Sequence, residues 1–218
     1  MLLKRLGIAF LAILALGVTM AATASAENDP LFLFGGQTGT VSEGGGTLST
    51  LTQFFSIECK KSAGTVKAAN DVDTFEGEIE FKECTATGLG QAAGVIKFKI
   101  KGLTCLWGKE TELKPCAVIE NTENVHLEVP ILGLVDFLAG STQAGKLTPD
   151  GTSTNALKLE LAKGAANGDQ LLTSVKDLGK ELKPKINVLE NHKGEETMGA
   201  ISATFLIKFT NAGTLDCS

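Results

Sequence analysis

An all-β fold, a single antiparallel β-sandwich or barrel-like domain, is predicted by three observations. Apolar and polar residues alternate in short runs from Leu48 onward, the runs are broken by Gly, Asn, Asp or Thr, and two of them carry opposite charge on their outer faces. Period-two alternation between turn residues marks half-buried strands, and many such strands joined by Gly-rich turns pack as a sandwich or barrel.

The elements follow in order. Lys4 and Arg5, the apolar run Ile8 to Met20, and the small residues Ala24, Ser25 and Ala26 form the pattern of a secretory signal peptide over residues 1–26, with cleavage expected to leave Glu27 first. An uncleaved anchor is the alternative, because Leu6 to Ala26 approaches the ~20 apolar residues that cross a bilayer. The small-residue end and the polar Glu27-Asn28-Asp29 sequel suit cleavage better. No later apolar stretch is long enough to span a membrane.

Residues 27–47 hold a short apolar segment, Leu31 to Phe34, and a glycine-crowded stretch, Gly35 to Thr47, which reads as a flexible connector. The β-rich domain is expected over 48–218. Its clearest pair is Phe75 to Glu83 with Ala93 to Gly102. Glu76, Glu78 and Glu80 face out from the first run, and Lys97, Lys99 and Lys101 from the second. An antiparallel register placing Glu78 opposite Lys99, Glu80 opposite Lys97 and Glu76 opposite Lys101 sets unlike charges across every outer pair. It also sets Ile79 opposite Phe98 and Phe81 opposite Ile96 on the inner face. A slip of two residues would keep the faces, so this register is a preference.

Further alternating runs are Val125 to Val129, Leu157 to Leu161, Lys185 to Leu189 and Ile201 to Phe209. The stretch Asp169 to Lys183 also fits a helix face through Leu171, Leu172, Val175, Leu178 and Leu182. An internal echo bears on it. Gly108-Lys109-Glu110, Leu113-Lys114-Pro115 and Val118-Ile119-Glu120-Asn121 return as Gly179-Lys180-Glu181, Leu182-Lys183-Pro184 and Val188-Leu189-Glu190-Asn191. A shared hairpin would put Gly-Lys-Glu in the turn and favours strand over helix for Leu171 to Leu178.

Cys59, Cys84, Cys105, Cys116 and Cys217 lack the close pairs of a zinc site, and two histidines are too few to complete one, so disulfides are the first reading and no metal or other cofactor is expected. The preferred pairing is Cys59 with Cys84 and Cys105 with Cys116, leaving Cys217 over; other connectivities remain open.

Ile57-Glu58-Cys59, Phe75 to Cys84, and Lys183-Pro184-Lys185 through Leu215-Asp216-Cys217 resemble a large group of uncharacterised exported proteins of actinobacteria. The similarity is diffuse, covers most of the mature chain, and rests on Cys and Gly placement. It implies an extracytoplasmic β-rich domain and brings no activity and no functional residues with it.

Composition excludes several functions. Leader removal leaves 18 lysines against 25 acidic residues, no Arg and no Tyr. An acidic chain without guanidinium forks is a poor match for nucleic acid or nucleotides. No Gly-x-Ser-x-Gly turn presents a nucleophile, His126 and His192 read as surface histidines, and no catalytic set emerges. The most unusual segment is the apolar Val129 to Ala139. It reads first as a strand buried on both faces, with Val129, Ile131, Leu132, Leu134, Asp136 and Phe137 as the alternative surface for a ligand or partner. Asp136 would line a cavity or mark a turn. The leading expectation is a secreted or envelope-associated non-catalytic domain that contacts an extracytoplasmic protein or small ligand. A barrel carrier of apolar ligands and a secreted hydrolase are its rivals.

Overall fold

The computed structural model describes residues 31–34, 36–42, 44–50, 56–69, 73–86, 91–109, 111–129, 133–149, 154–162, 164, 172, 175–177, 180–182, 188–191 and 196–216. The described residues form strands and turns only. In chain order the strands are β1 (Leu31–Leu33), β2 (Thr38–Ser42), β3 (Gly46–Thr50), β4 (Ser56–Ala68), β5 (Thr74–Ala86), β6 (Gln91–Lys109), β7 (Glu112–Asn121) and β8 (Val125–Val129). They continue with β9 (Gly133–Phe137), β10 (Thr142–Thr148), β11 (Thr154–Leu161), β12 (Val175–Asp177), β13 (Lys180–Leu182), β14 (Val188–Asn191) and β15 (Glu196–Asp216).

The sheet closes on itself. Antiparallel neighbours run β15–β2–β4–β5–β6–β7–β10–β11, and β11 pairs with β15 from Leu161↔Ala203 to Thr154↔Gly213, completing the ring. Closure removes the free edges that an open sheet would expose. β3 shares the place of β2, pairing β15 on one side and β4 on the other. A smaller set continues from the first residues of β15 through β14 and β9 to β8. Among the described residues no ladder carries this smaller set on from β8 to β6. β8 lies against β6, but among the described residues the backbone tie between this crossing and β6 is Thr122 N–H donating to Lys99 O at 2.9 Å.

Asn121 and Gln143 stand where the two halves of the barrel part. The Gln143 side chain donates to Ile201 O and Ala162 O and accepts from Ile201 N–H, while the Asn121 amide donates to Leu138 O and Glu123 O. Both residues are buried. Their amides take the place of ladder rungs where strands end, which a buried backbone requires.

Alternation fills the interior as expected. Ala203, Phe205, Ile207 and Phe209 of β15 point in, with Leu157, Leu159 and Leu161 of β11 beside them. Phe81 packs edge-on against Phe98 and Phe205, Phe98 meets Phe137 of β9 at 5.4 Å, and Phe34 stacks on Phe209 at 4.1 Å. Aromatic rings bury large areas, so few of them fill a barrel of this girth.

The β5–β6 hairpin has the register the charge pattern predicts: Glu76↔Lys101, Glu78↔Lys99, Glu80↔Lys97, Ile79↔Phe98 and Phe81↔Ile96. The side chains do not all pair straight across. Lys97 reaches Glu80 and Glu78, whereas Lys99 turns to Glu123 and Lys101 to Glu120. Strict alternation from Phe81 would drive Glu83 inward; instead Glu83 adopts φ of 55° and keeps its carboxylate outside, beside Lys61. The face flips there, and Cys84 enters the core.

Cys59 is bonded to Cys84 and Cys105 to Cys116, each pair directly opposite in register on neighbouring strands. The first lies in the main core. The second lies on the outer face of β6 and β7, in a satellite apolar cluster with Val118, Ala144, Leu103 and Trp107 that Leu172, Val175 and Leu182 cover.

Three expectations are corrected. The Gly-rich stretch Gly35 to Thr47 contains β2, whose Val41 is a core residue, and the first two residues of β3, so it is part of the barrel rather than a connector. Small residues there allow close approach, which the sequence presents as flexibility. Val129 to Phe137 is not one strand: β8 ends and β9 begins on either side of residues 130–132, which lie outside the described set. Of the described parts of Asp169 to Lys183, Val175–Asp177 and Lys180–Leu182 are paired strands, as the echo favours, and Asp177 stands opposite Lys180, so Lys180 and Glu181 open β13 rather than lie in the turn. Met1 to Ala26, Ile131, Leu132, His192 and Cys217 lie outside the described residues.

Candidate functional site

Two of the spaces among the described residues differ sharply. The interior one, among Phe81, Phe98, Ile119, Asn121, Gln143 and Phe205, is about 30 Å³, room for about one water. The larger is a groove of about 870 Å³ on the outer face.

One register row builds the groove. Lys67 of β4 stands opposite Glu76 of β5, Glu76 opposite Lys101 of β6, Lys101 opposite Glu120 of β7, and Glu120 opposite Thr142 of β10. All five line the groove. Directly opposite residues share a face, so five strands project these side chains in one line across the sheet. Thr74, Leu103 and Val118 line the other side, where the groove meets the flank of the satellite cluster.

Gly102 is required at the floor. A Cβ there would come 2.3 Å from the Phe75 ring and 2.6 Å from Val118 O. Any side chain would push Phe75 out of the position it holds between groove and core.

The row is alternately charged and neutral in sum. Lys101 pairs with Glu120 at 3.0 Å, while Lys67 and Glu76, though opposite in register, form no ion pair within 4.0 Å. Further along the hairpin the charges are mutually engaged. Lys97, followed by Lys82, holds the Glu80 carboxyl below the usual carboxylate range, and Glu80 in turn raises Lys97. Glu123 does the same for Lys99.

The residues singled out from sequence fall elsewhere. His126 is exposed on β8, and its Nδ1 lies 2.7 Å from Asp136 Oδ1 on β9, directly opposite in register. Asp136 is therefore a strand residue with a histidine partner rather than a turn. Phe137 is fully buried against Phe98. Val129 of β8 stands opposite Gly133, and Leu134 of β9 opposite Glu128. Neither His126 nor Asp136 borders the groove or the interior cavity. Among the described residues, no three of His, Cys, Asp and Glu gather as a metal site, and no helix is long and apolar enough to cross a membrane.

Sequence reading alone misses the groove. Its row joins positions from Lys67 to Thr142, and the pairings β4–β5, β6–β7 and β7–β10 are needed to align them; only the Glu76–Lys101 rung was legible. No protein-family model, no curated protein and no solved structure matches the chain.

Proposed function

We propose that this chain is an exported, non-catalytic β-barrel domain that acts outside the cytoplasm through contacts made on its outer face. The observation that carries this reading is the outer groove of about 870 Å³, beside which the described space among the inner rings of Phe81, Phe98 and Phe205 is about 30 Å³. A carrier of apolar ligands needs the reverse distribution of space. Export is supported by the leader pattern over residues 1–26 and by two disulfides, which persist in oxidising compartments. The resemblance to exported actinobacterial proteins points the same way. An acidic mature chain whose cations are all lysines or histidines favours a protein or small-ligand partner over nucleic acid.

The experiment is a titration of the exported protein with cis-parinaric acid, a fluorescent apolar probe, alongside N-terminal sequencing. The expected outcome is an N-terminus at Glu27 and no saturable binding. Saturable binding at one probe per barrel would favour the carrier, and recovery of an intact Met1 to Ala26 segment would defeat the export reading.

A further inference from the structure

The groove has the length of a short extended segment. It crosses five neighbouring strands, four strand spacings of about 4.8 Å, and so runs for about 19 Å. At about 3.3 Å per residue, the length holds about six residues.

The lining chooses among linear ligands. Two lysines against two glutamates leave no net positive field for a nucleic acid. Phe75 is the aromatic among the lining residues and is buried, so no exposed ring offers a platform for a sugar. A polypeptide answers every part of the lining: an apolar side chain against Leu103 and Val118, an acidic one toward Lys67, and a basic one toward Glu76. Among the described residues Lys67 and Glu76 have no ion pair to give up, whereas Lys101 and Glu120 already hold each other.

We propose that this outer groove is the docking site for an extended polypeptide segment of about six residues that carries neighbouring acidic and basic side chains beside an apolar one. The proposal rests on the reading of the chain as a contact domain and adds the class of partner. Lys67 and Glu76 are its specificity-determining residues.

The test uses the exported, disulfide-bonded protein, with a random octapeptide library displayed on phage as one probe and an array of polysaccharide fragments as the other. Lys67→Glu and Glu76→Lys replace exposed side chains, and unchanged melting temperatures would show that both variants fold. The expected result is an enriched consensus with an acid, a base and an apolar residue, affinity weakened about threefold to tenfold by either variant at low salt, and selection by Lys67→Glu of a base where the parent selects an acid. A consensus indifferent to both variants, or no consensus, would overturn the proposal. Polysaccharide binding that both variants abolish would overturn it while leaving the contact-domain reading intact. Saturable apolar-probe binding inside the barrel would remove both.

Discussion

The two halves of the barrel are closed by different means. Around β11 the ring is continuous in backbone hydrogen bonds, with β11 and β15 paired from Leu161↔Ala203 onward. Around β14 the ladder stops at β8, and the gap toward β6 is closed by side chains: Val125, Leu127 and Phe137 are buried in the same core as Phe98. One molecule thus uses directional bonds and apolar packing for the same purpose. Backbone pairing fixes register, which the groove row requires across five strands. Apolar packing tolerates splayed strands, and it leaves the β14 half with local stability that depends on a few rings.

The largest expected effect comes from removing the covalent ties. Replacing Cys59 and Cys84 by Ala should cost about 3.5 kcal/mol, and replacing Cys105 and Cys116 about 2.8 kcal/mol, if loop entropy dominates. Denaturant melts measure both losses. The comparison sharpens if protease cuts the first variant mainly within β8, β9 and β14. It breaks if the second variant opens that half equally.

Next in size is Gln143→Leu. Leu fills the space but strands Ile201 N–H, Ile201 O and Ala162 O between the halves. A loss of about 2–3 kcal/mol is expected in the same melts. A neutral result would mean that the halves are not joined through this amide.

The charge rows come last. Glu80, Glu83 and Glu160 have carboxyls held below their ordinary range by Lys97, Lys61 and Lys158 respectively. A lowered folded-state value means that the unfolded chain binds protons first as pH falls. Stability from these groups is therefore complete above the ordinary carboxylate range and is lost as pH drops through the folded values. Because Glu83 is exposed and Glu80 and Glu160 are only partly buried, the loss should be small and shrink further in salt. Changing Lys97, Lys99 and Lys101 to Glu should lower the melting temperature, and changing Glu76, Glu78 and Glu80 to Lys in the same chain should recover only part of it. Recovery stays partial because Glu123 and Glu120, on the β7 side, hold Lys99 and Lys101. Additive losses would contradict the rows' pairing.

The readable parts of the fold are those in which neighbouring sequence carries both faces of a strand pair. The β5–β6 hairpin wrote its register in Glu and Lys, β15 wrote its inner face in Ala203, Phe205, Ile207 and Phe209, and the cysteine pairs follow from adjacent strands. β2 and β10 were illegible because Gly39, Thr40, Gly145 and Thr148 carry little hydrophobic contrast, and partners far along the chain decide their pairing. The apolar run Val129 to Ala139 hid a break between strands because apolar residues stand on both sides of the break, so hydrophobicity marks no boundary there. The groove was illegible for the same reason as β10: it exists only once five strands are in register.

Amide hydrogen exchange, residue by residue under native conditions, tests the contrast between the halves most directly. The slowest amides should lie in the β11–β15 ladder, at Leu157, Leu159, Phe205 and Ile207, exchanging only with global unfolding, while Val125 and Leu127 of β8 exchange through an earlier, partial opening. Equal protection of β8 and β11, or loss of the β11–β15 amides before those of β8, would contradict the account.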